Sequence, residues 1–116
     1  MKVIAATELD LLAFFEVPPA AADADVPWSY NTLLYSVTIG GAEVSFRLVP
    51  SYRDVHLVIS FGGRISYELK ATQVSDVMVH STEQVEALEI RLTDESRLWL
   101  ALRPRVSIWH EFQSSQ

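Results

Sequence analysis

The chain has no cysteine in its 116 residues. Disulfide frameworks, thiolate zinc sites, iron–sulfur clusters and cysteine nucleophiles are therefore excluded together. Glycine is almost as scarce: there are four, at 40, 41, 62 and 63. No glycine-rich phosphate loop and no G-x-G-x-x-G fingerprint can be built from them. G-x-S-x-G and H-E-x-x-H are also absent, which removes the common hydrolase and zincin signatures. No apolar run approaches the ~18 residues that a membrane-spanning helix needs. Basic residues are in deficit, with nine Lys and Arg against fifteen Asp and Glu and a net charge of −6. That balance argues against non-specific binding to nucleic acid or to an anionic membrane.

What is present is apolar. The chain is 49% hydrophobic and 21% charged, a composition that favours a packed core over disorder. Its length suits one domain over residues 1–116 and is too short for two. Met1-Lys2-Val3-Ile4-Ala5-Ala6 opens like a secretory leader, but Glu8 and Asp10 interrupt it early. The segment is therefore read as mature protein. The acidity is concentrated at the front. The first 31 residues hold one base, Lys2, and five acids, Glu8, Asp10, Glu16, Asp23 and Asp25.

Residues 7–16 read as a helix. Thr7 is an N-cap that can accept from the Asp10 amide, and Glu8 and Asp10 suit the positive helix end. Leu9, Leu11, Leu12, Phe14 and Phe15 cover most of its circumference, so burial on a broad face is expected, with Leu12 inside. Pro18-Pro19 ends it, and residues 17–31 read as a connecting loop. Within that loop, Trp28 and Tyr30 can either plug the end of the core or line a mouth.

From Leu33 the period of hydrophobicity becomes two, and turn signals recur about every 10–12 residues. Residues 33–112 are thus read as an antiparallel meander of up to eight short strands. Registers follow from asking which loop length sets apolar opposite apolar. A two-residue loop at Gly40-Gly41 pairs Val37 with Val44, Tyr35 with Phe46 and Leu33 with Leu48. A three-residue loop over Gly62 to Arg64 pairs Phe61 with Ile65, Ile59 with Tyr67 and Leu57 with Leu69. A three-residue loop over Asp94 to Ser96 pairs Leu92 with Leu98, Ile90 with Leu100 and Leu88 with Leu102. A further three-residue loop over Arg103 to Arg105 pairs Leu102 with Val106 and Leu100 with Ile108.

The face opposite this apolar layer holds the candidate site. These registers place Arg91 beside Trp99, Trp99 beside Trp109, and Arg97 beside Glu111. Guanidinium over indole, and indole beside indole, are favourable pairs, and Trp and Arg are enriched at binding hot spots. Glu89 and Glu111 fall at the margins, near a basic turn made by Arg103 and Arg105. Two readings stay open: a partner surface, or a face covered by the helix or by a second half of the sheet. Of the three histidines, no two lie at metal-pair spacing. His110 falls on the core-facing parity opposite Leu98 and reads as a partly buried, hydrogen-bonded residue. Glu83, Glu86, Glu89, Asp94 and Glu95 read as solvated turn charge.

Phe14-Phe15, then Val26-Pro27-Trp28-Ser29-Tyr30-Asn31, then a meander closing on Leu102-Arg103-Pro104, resemble small stand-alone bacterial proteins. In size, acidity and architecture the chain is similar to immunity proteins of bacterial toxin systems. The resemblance implies a cytoplasmic protein that works by binding, and it supplies no catalytic residues.

The expected fold is α+β and mainly β: a short N-terminal helix followed by a twisted antiparallel meander, as a half-barrel or sandwich. The expected function is a non-catalytic protein-binding module, in concrete form a toxin-neutralising protein with a basic toxin domain as its partner. Complementary charge would speed that association. No enzyme activity, cofactor or metal is expected. A small-ligand binder using the mouth of a curled sheet is the first alternative. An enzyme whose residues are assembled only by the fold is the second.

Overall fold

The computed structural model describes residues 4–112. Residues 1–3, part of the opening segment read as mature protein, and 113–116, part of the domain expected over 1–116, lie outside the described residues. Among the described residues one α-helix, α1 (Glu8–Phe15), precedes nine strands. These are β1 (Ala20–Ala21), β2 (Leu33–Ile39), β3 (Ala42–Val49), β4 (Asp54–Phe61) and β5 (Arg64–Ala71), then β6 (Asp76–Ser81), β7 (Glu86–Thr93), β8 (Ser96–Ala101) and β9 (Ser107–Phe112). They form two antiparallel sheets, ordered β1-β2-β3-β4-β5 and β6-β7-β8-β9. The architecture is the mainly β meander in its two-sheet form. The stretch read as a loop, 17–31, also carries β1 and one 3-10 turn, Trp28–Tyr30.

The sheets meet face to face because alternate residues are apolar. Tyr35, Phe46, Leu48 and Leu57 from the first sheet and Leu88, Ile90, Leu98 and Leu100 from the second are all buried in one core. The β2–β3 register is the expected one, with Val37 opposite Val44, Tyr35 opposite Phe46 and Leu33 opposite Leu48. Gly40 and Gly41 have φ of +58° and +83°, the backbone of a two-residue type I′ hairpin, which side-chain-bearing residues adopt only with strain.

Two other registers differ from expectation. Between β4 and β5, Leu57 faces Leu69 and Ile59 faces Tyr67 as expected, but Phe61 faces Arg64 rather than Ile65. The loop is the two-residue Gly62-Gly63, and a bulge at Ile59/Ser60 absorbs the extra residue. Between β7 and β8, Leu88 faces Leu100 and Ile90 faces Leu98, with an irregularity between Arg91 and Thr93. The expected pairing of this hairpin was two residues out of register. The final hairpin pairs Leu100 with Ile108 and Trp99 with Trp109, as the sequence implied.

Helix α1 begins in a capping box: the Thr7 hydroxyl accepts from the Asp10 amide, and the Asp10 carboxylate accepts from the Thr7 amide. It ends at Glu16, whose φ of 61° is left-handed. The helix contacts β2, β6 and β7 and so fills the space between the sheets along one side. Phe15 stacks on Tyr35 at 4.8 Å and on Phe46 at 5.6 Å between ring centroids. Only Leu11, Phe14 and Phe15 are buried. The broad burial expected of this helix is therefore a narrow one, and Leu12 is 40% exposed. A residue so placed contributes little. Leu12→Ala is expected to change unfolding free energy by less than about 1 kcal/mol, since alanine also favours the helix. The denaturant midpoint measures this.

Arg103 serves the helix rather than the candidate face. Its Nη1 donates to the Phe14 carbonyl at 3.0 Å, and its Nε lies 3.5 Å from Glu16 Oε2. A cation at the unsatisfied carbonyls of a helix C-terminus is favourable. On the side away from the helix, Tyr67 and His110 share a hydrogen bond of 3.0 Å that bridges the sheets. Burial pushes the Tyr67 phenol above its ordinary value. His110 lies opposite Leu98 and is hydrogen-bonded, but it is exposed rather than partly buried.

Candidate functional site

The outer face of the second sheet is built by strand alternation. Leu88 and Ile90 point into the core from β7, so Glu89 and Arg91 point out. Leu98 and Leu100 point in from β8, so Arg97 and Trp99 point out. Trp109 and Glu111 from β9 and His80 from β6 complete the face. The helix occupies the other side of the sheet, and among the described residues no element lies over this one. The expectation that α1 might cover it does not hold.

Trp99 and Trp109 are cross-strand partners with rings stacked at 6.0 Å and an interplanar angle of 8°. Trp109 is 43% exposed, while Trp99 is half-buried. The Trp99 indole N–H donates to Glu111 Oε1 at 3.3 Å. Arg97 faces Glu111 across the strands, with its Nε 3.6 Å from the same oxygen. The five residues singled out from sequence thus share one face.

Arg91 is not beside Trp99, which is a correction. It faces Arg97, and the residue opposite Trp99 is Glu89. Two guanidiniums directly across a ladder repel. They coexist because Glu89 lies within reach of both: Arg91 Nε donates to its Oε2 at 3.1 Å, and Arg97 Nη1 lies 3.5 Å from that oxygen. His80 Nε2 takes the other carboxylate oxygen at 2.7 Å, and its ring sits 5.0 Å from Trp99. Glu89 is only 1% exposed. It is the centre of the site, not solvated turn charge and not a margin. Sequence reading missed it together with His80. The two-residue Asp94-Glu95 turn alone would set Glu89 against Leu100; the irregularity between Arg91 and Thr93 moves the pairing by one and brings Glu89 against Trp99, and no hydrophobic pattern signals it.

The arrangement fixes two flat apolar rings in a frame of ion pairs. It can bury aromatic surface against a partner and offer charged groups at the rim, the anatomy of a protein-binding hot spot. It does not resemble a reaction centre with a cavity. The described depressions, including grooves of about 360 Å³ and about 260 Å³ on the first sheet, are open to solvent. Among the described residues no three His, Asp or Glu side chains converge to hold a metal ion. Among the described residues no helix is long and apolar enough to cross a membrane.

The fold has a solved counterpart. It is similar to a chain of a contact-dependent growth inhibition toxin–immunity protein complex from Klebsiella pneumoniae 342. The TM-score is 0.75 at 16% identity, over 90% of this chain and 92% of that one. At that identity the likeness is one of fold. No family model matches the chain, and no curated protein matches it in sequence.

Proposed function

We propose that this chain is a toxin-neutralising protein: one non-catalytic domain that binds a toxin domain in the cytoplasm and blocks it. The observation that carries this reading is the fold likeness to a chain of a toxin–immunity complex over nine-tenths of the length. An uncovered face with a stacked tryptophan pair supports it, because exposed aromatic surface framed by charged groups is what a protein-binding surface offers. The net charge of −6 points to a basic target. We place the contact at Arg91, Arg97, Trp99, Trp109 and Glu111, with Glu89 and His80 holding them in position.

The test is co-expression with a candidate toxin domain taken from a neighbouring gene. The chain alone is expected to leave growth unaffected, and its presence is expected to restore growth of cells making the toxin. Growth arrest by the chain alone would put it on the toxin side of such a pair and overturn the reading. Association is also expected to be charge-assisted. Its rate should fall several-fold between ionic strengths of about 20 mM and about 150 mM, measured by stopped-flow fluorescence of the tryptophans. A rate independent of salt would remove the basic partner.

A further inference from the structure

A second surface lies at the acidic front of the chain. An open groove of about 340 Å³ runs between α1 and the 17–31 stretch, lined by Glu8, Pro18, Pro19, Val26, Trp28 and Asn31 among others. Its walls are rigid for identifiable reasons. Pro18 and Pro19 restrict the backbone of one wall. Asn31, 4% exposed, has its polar atoms occupied on the other. Its Oδ1 accepts from the Asp23 and Thr32 amides at 3.3 and 2.9 Å, and its Nδ2 donates to the Asp23 and Val26 carbonyls at 2.6 and 3.0 Å. The Trp28 N–H donates to the Tyr35 hydroxyl at 3.2 Å, which orients the indole.

Glu8 is the charged residue in the lining, and the stretch around the groove is acidic. Residues 4–31 contain five acids and no Lys, Arg or His. Glu16, outside the groove lining, pairs with Arg103. Glu8, Asp10, Asp23 and Asp25 have no ion-pair partner among the described residues, although the Asp23 carboxylate accepts from the Asp25 amide and Asp10 belongs to the helix cap. Burial raises the Tyr35 phenol above its ordinary value, the Trp28 bond offsets part of that rise, and the Glu8 charge adds to it. Glu8 and Trp28 thus both act on the Tyr35 hydroxyl, and both line the groove.

We propose that this groove accepts a lysine or arginine side chain of a basic protein partner. The aliphatic stem lies along the proline and valine walls, and the cation meets the Trp28 ring and the Glu8 carboxylate. The partner's being a protein rests on the function proposed above. The groove would then be a second anchor for that partner, separate from the Trp99–Trp109 face. Its chemistry is complementary: apolar walls, one aromatic and the Glu8 carboxylate against a long cationic side chain.

The experiment leaves the toxin out, so its failure and the failure of the toxin reading are distinguishable. The ¹⁵N-labelled full chain is titrated with a capped peptide of two arginines separated by glycine, and with the same peptide carrying citrulline, the neutral isostere. The arginine peptide is expected to shift the Trp28 indole resonance and the amides of residues 8, 18–28 and 31, with saturation. The citrulline peptide is expected to leave them in place. Glu8→Gln, at an exposed site, should raise the peptide Kd at least threefold with the spectrum otherwise preserved. Asp25→Asn should raise it less, and Ile65→Ala, exposed on β5, should not change it. Equal shifts with citrulline, shifts that map elsewhere, or a Glu8→Gln chain that binds as before would overturn the proposal.

Discussion

Glu89→Ala is expected to destabilise the fold by about 3 kcal/mol. Breaking a buried ion pair from one side costs about 3–5 kcal/mol, because the remaining charge is left without compensation. Here the partners keep some access to water. Their side chains are 46% exposed at His80, 33% at Arg91 and 22% at Arg97, against 1% for Glu89. The stranded guanidiniums can partly hydrate, which places the loss at the low end of that range. Two further terms add to it: Arg91 and Arg97 then face each other with nothing between them, and the space beneath Trp99 empties. Urea unfolding of the variant measures the sum, and a cycle with Arg97→Ala isolates the coupling between the two residues. A loss under about 1 kcal/mol would mean that the carboxylate is solvated rather than enclosed. The same variant should also bind its partner less well. Glu89 holds Arg97, Arg97 lies against Glu111, and Glu111 accepts from the Trp99 indole.

The position of Glu89 also marks where the sequence stops being informative. A slip of one residue between strands turns every side chain to the wrong face, so alternation alone detects it. A slip of two does not. In β7 and β8, leucine or isoleucine occupies 88, 90, 92, 98, 100 and 102. Apolar then meets apolar both in the expected register and in one moved by two residues. The correct choice rests on the turn and on the irregularity between Arg91 and Thr93, neither of which hydrophobicity encodes. The β2–β3 hairpin escaped this ambiguity because Gly40-Gly41 fixes the turn. The β8–β9 pairing was readable because it is the register that matches Leu100 with Ile108. The five residues chosen for the face came from parity, which both registers share. Their contacts came from register, and so Arg91 was matched with the wrong neighbour. The helix fails differently. Apolar residues at 9, 11, 12, 14 and 15 surround it, and which of them are buried depends on the gap between the sheets that receives Phe14 and Phe15.

Trp109→Ala is expected to weaken partner binding by about 2 kcal/mol or more, roughly 30-fold in Kd, with the fold intact. The argument is one of exposure. Trp109 is 43% exposed on the outermost strand of its sheet, and its main intramolecular contact is the stack on Trp99. Losing such a stack costs the monomer about 0.5–1.5 kcal/mol, whereas a tryptophan beneath the helix would have cost about 3–5. Trp99 is the informative contrast. It is half-buried over Glu89 and donates to Glu111, so Trp99→Ala should reduce stability and affinity together. Calorimetric titration and thermal unfolding of both variants separate the two effects. If Trp109→Ala binds as tightly as the parent chain, the face is not the contact surface, and the stacked indoles serve only to shield Glu89. If it instead loses as much stability as a core truncation, Trp109 is buried in solution by a contact the monomer does not contain, and an interface between two copies of this chain becomes the account to test.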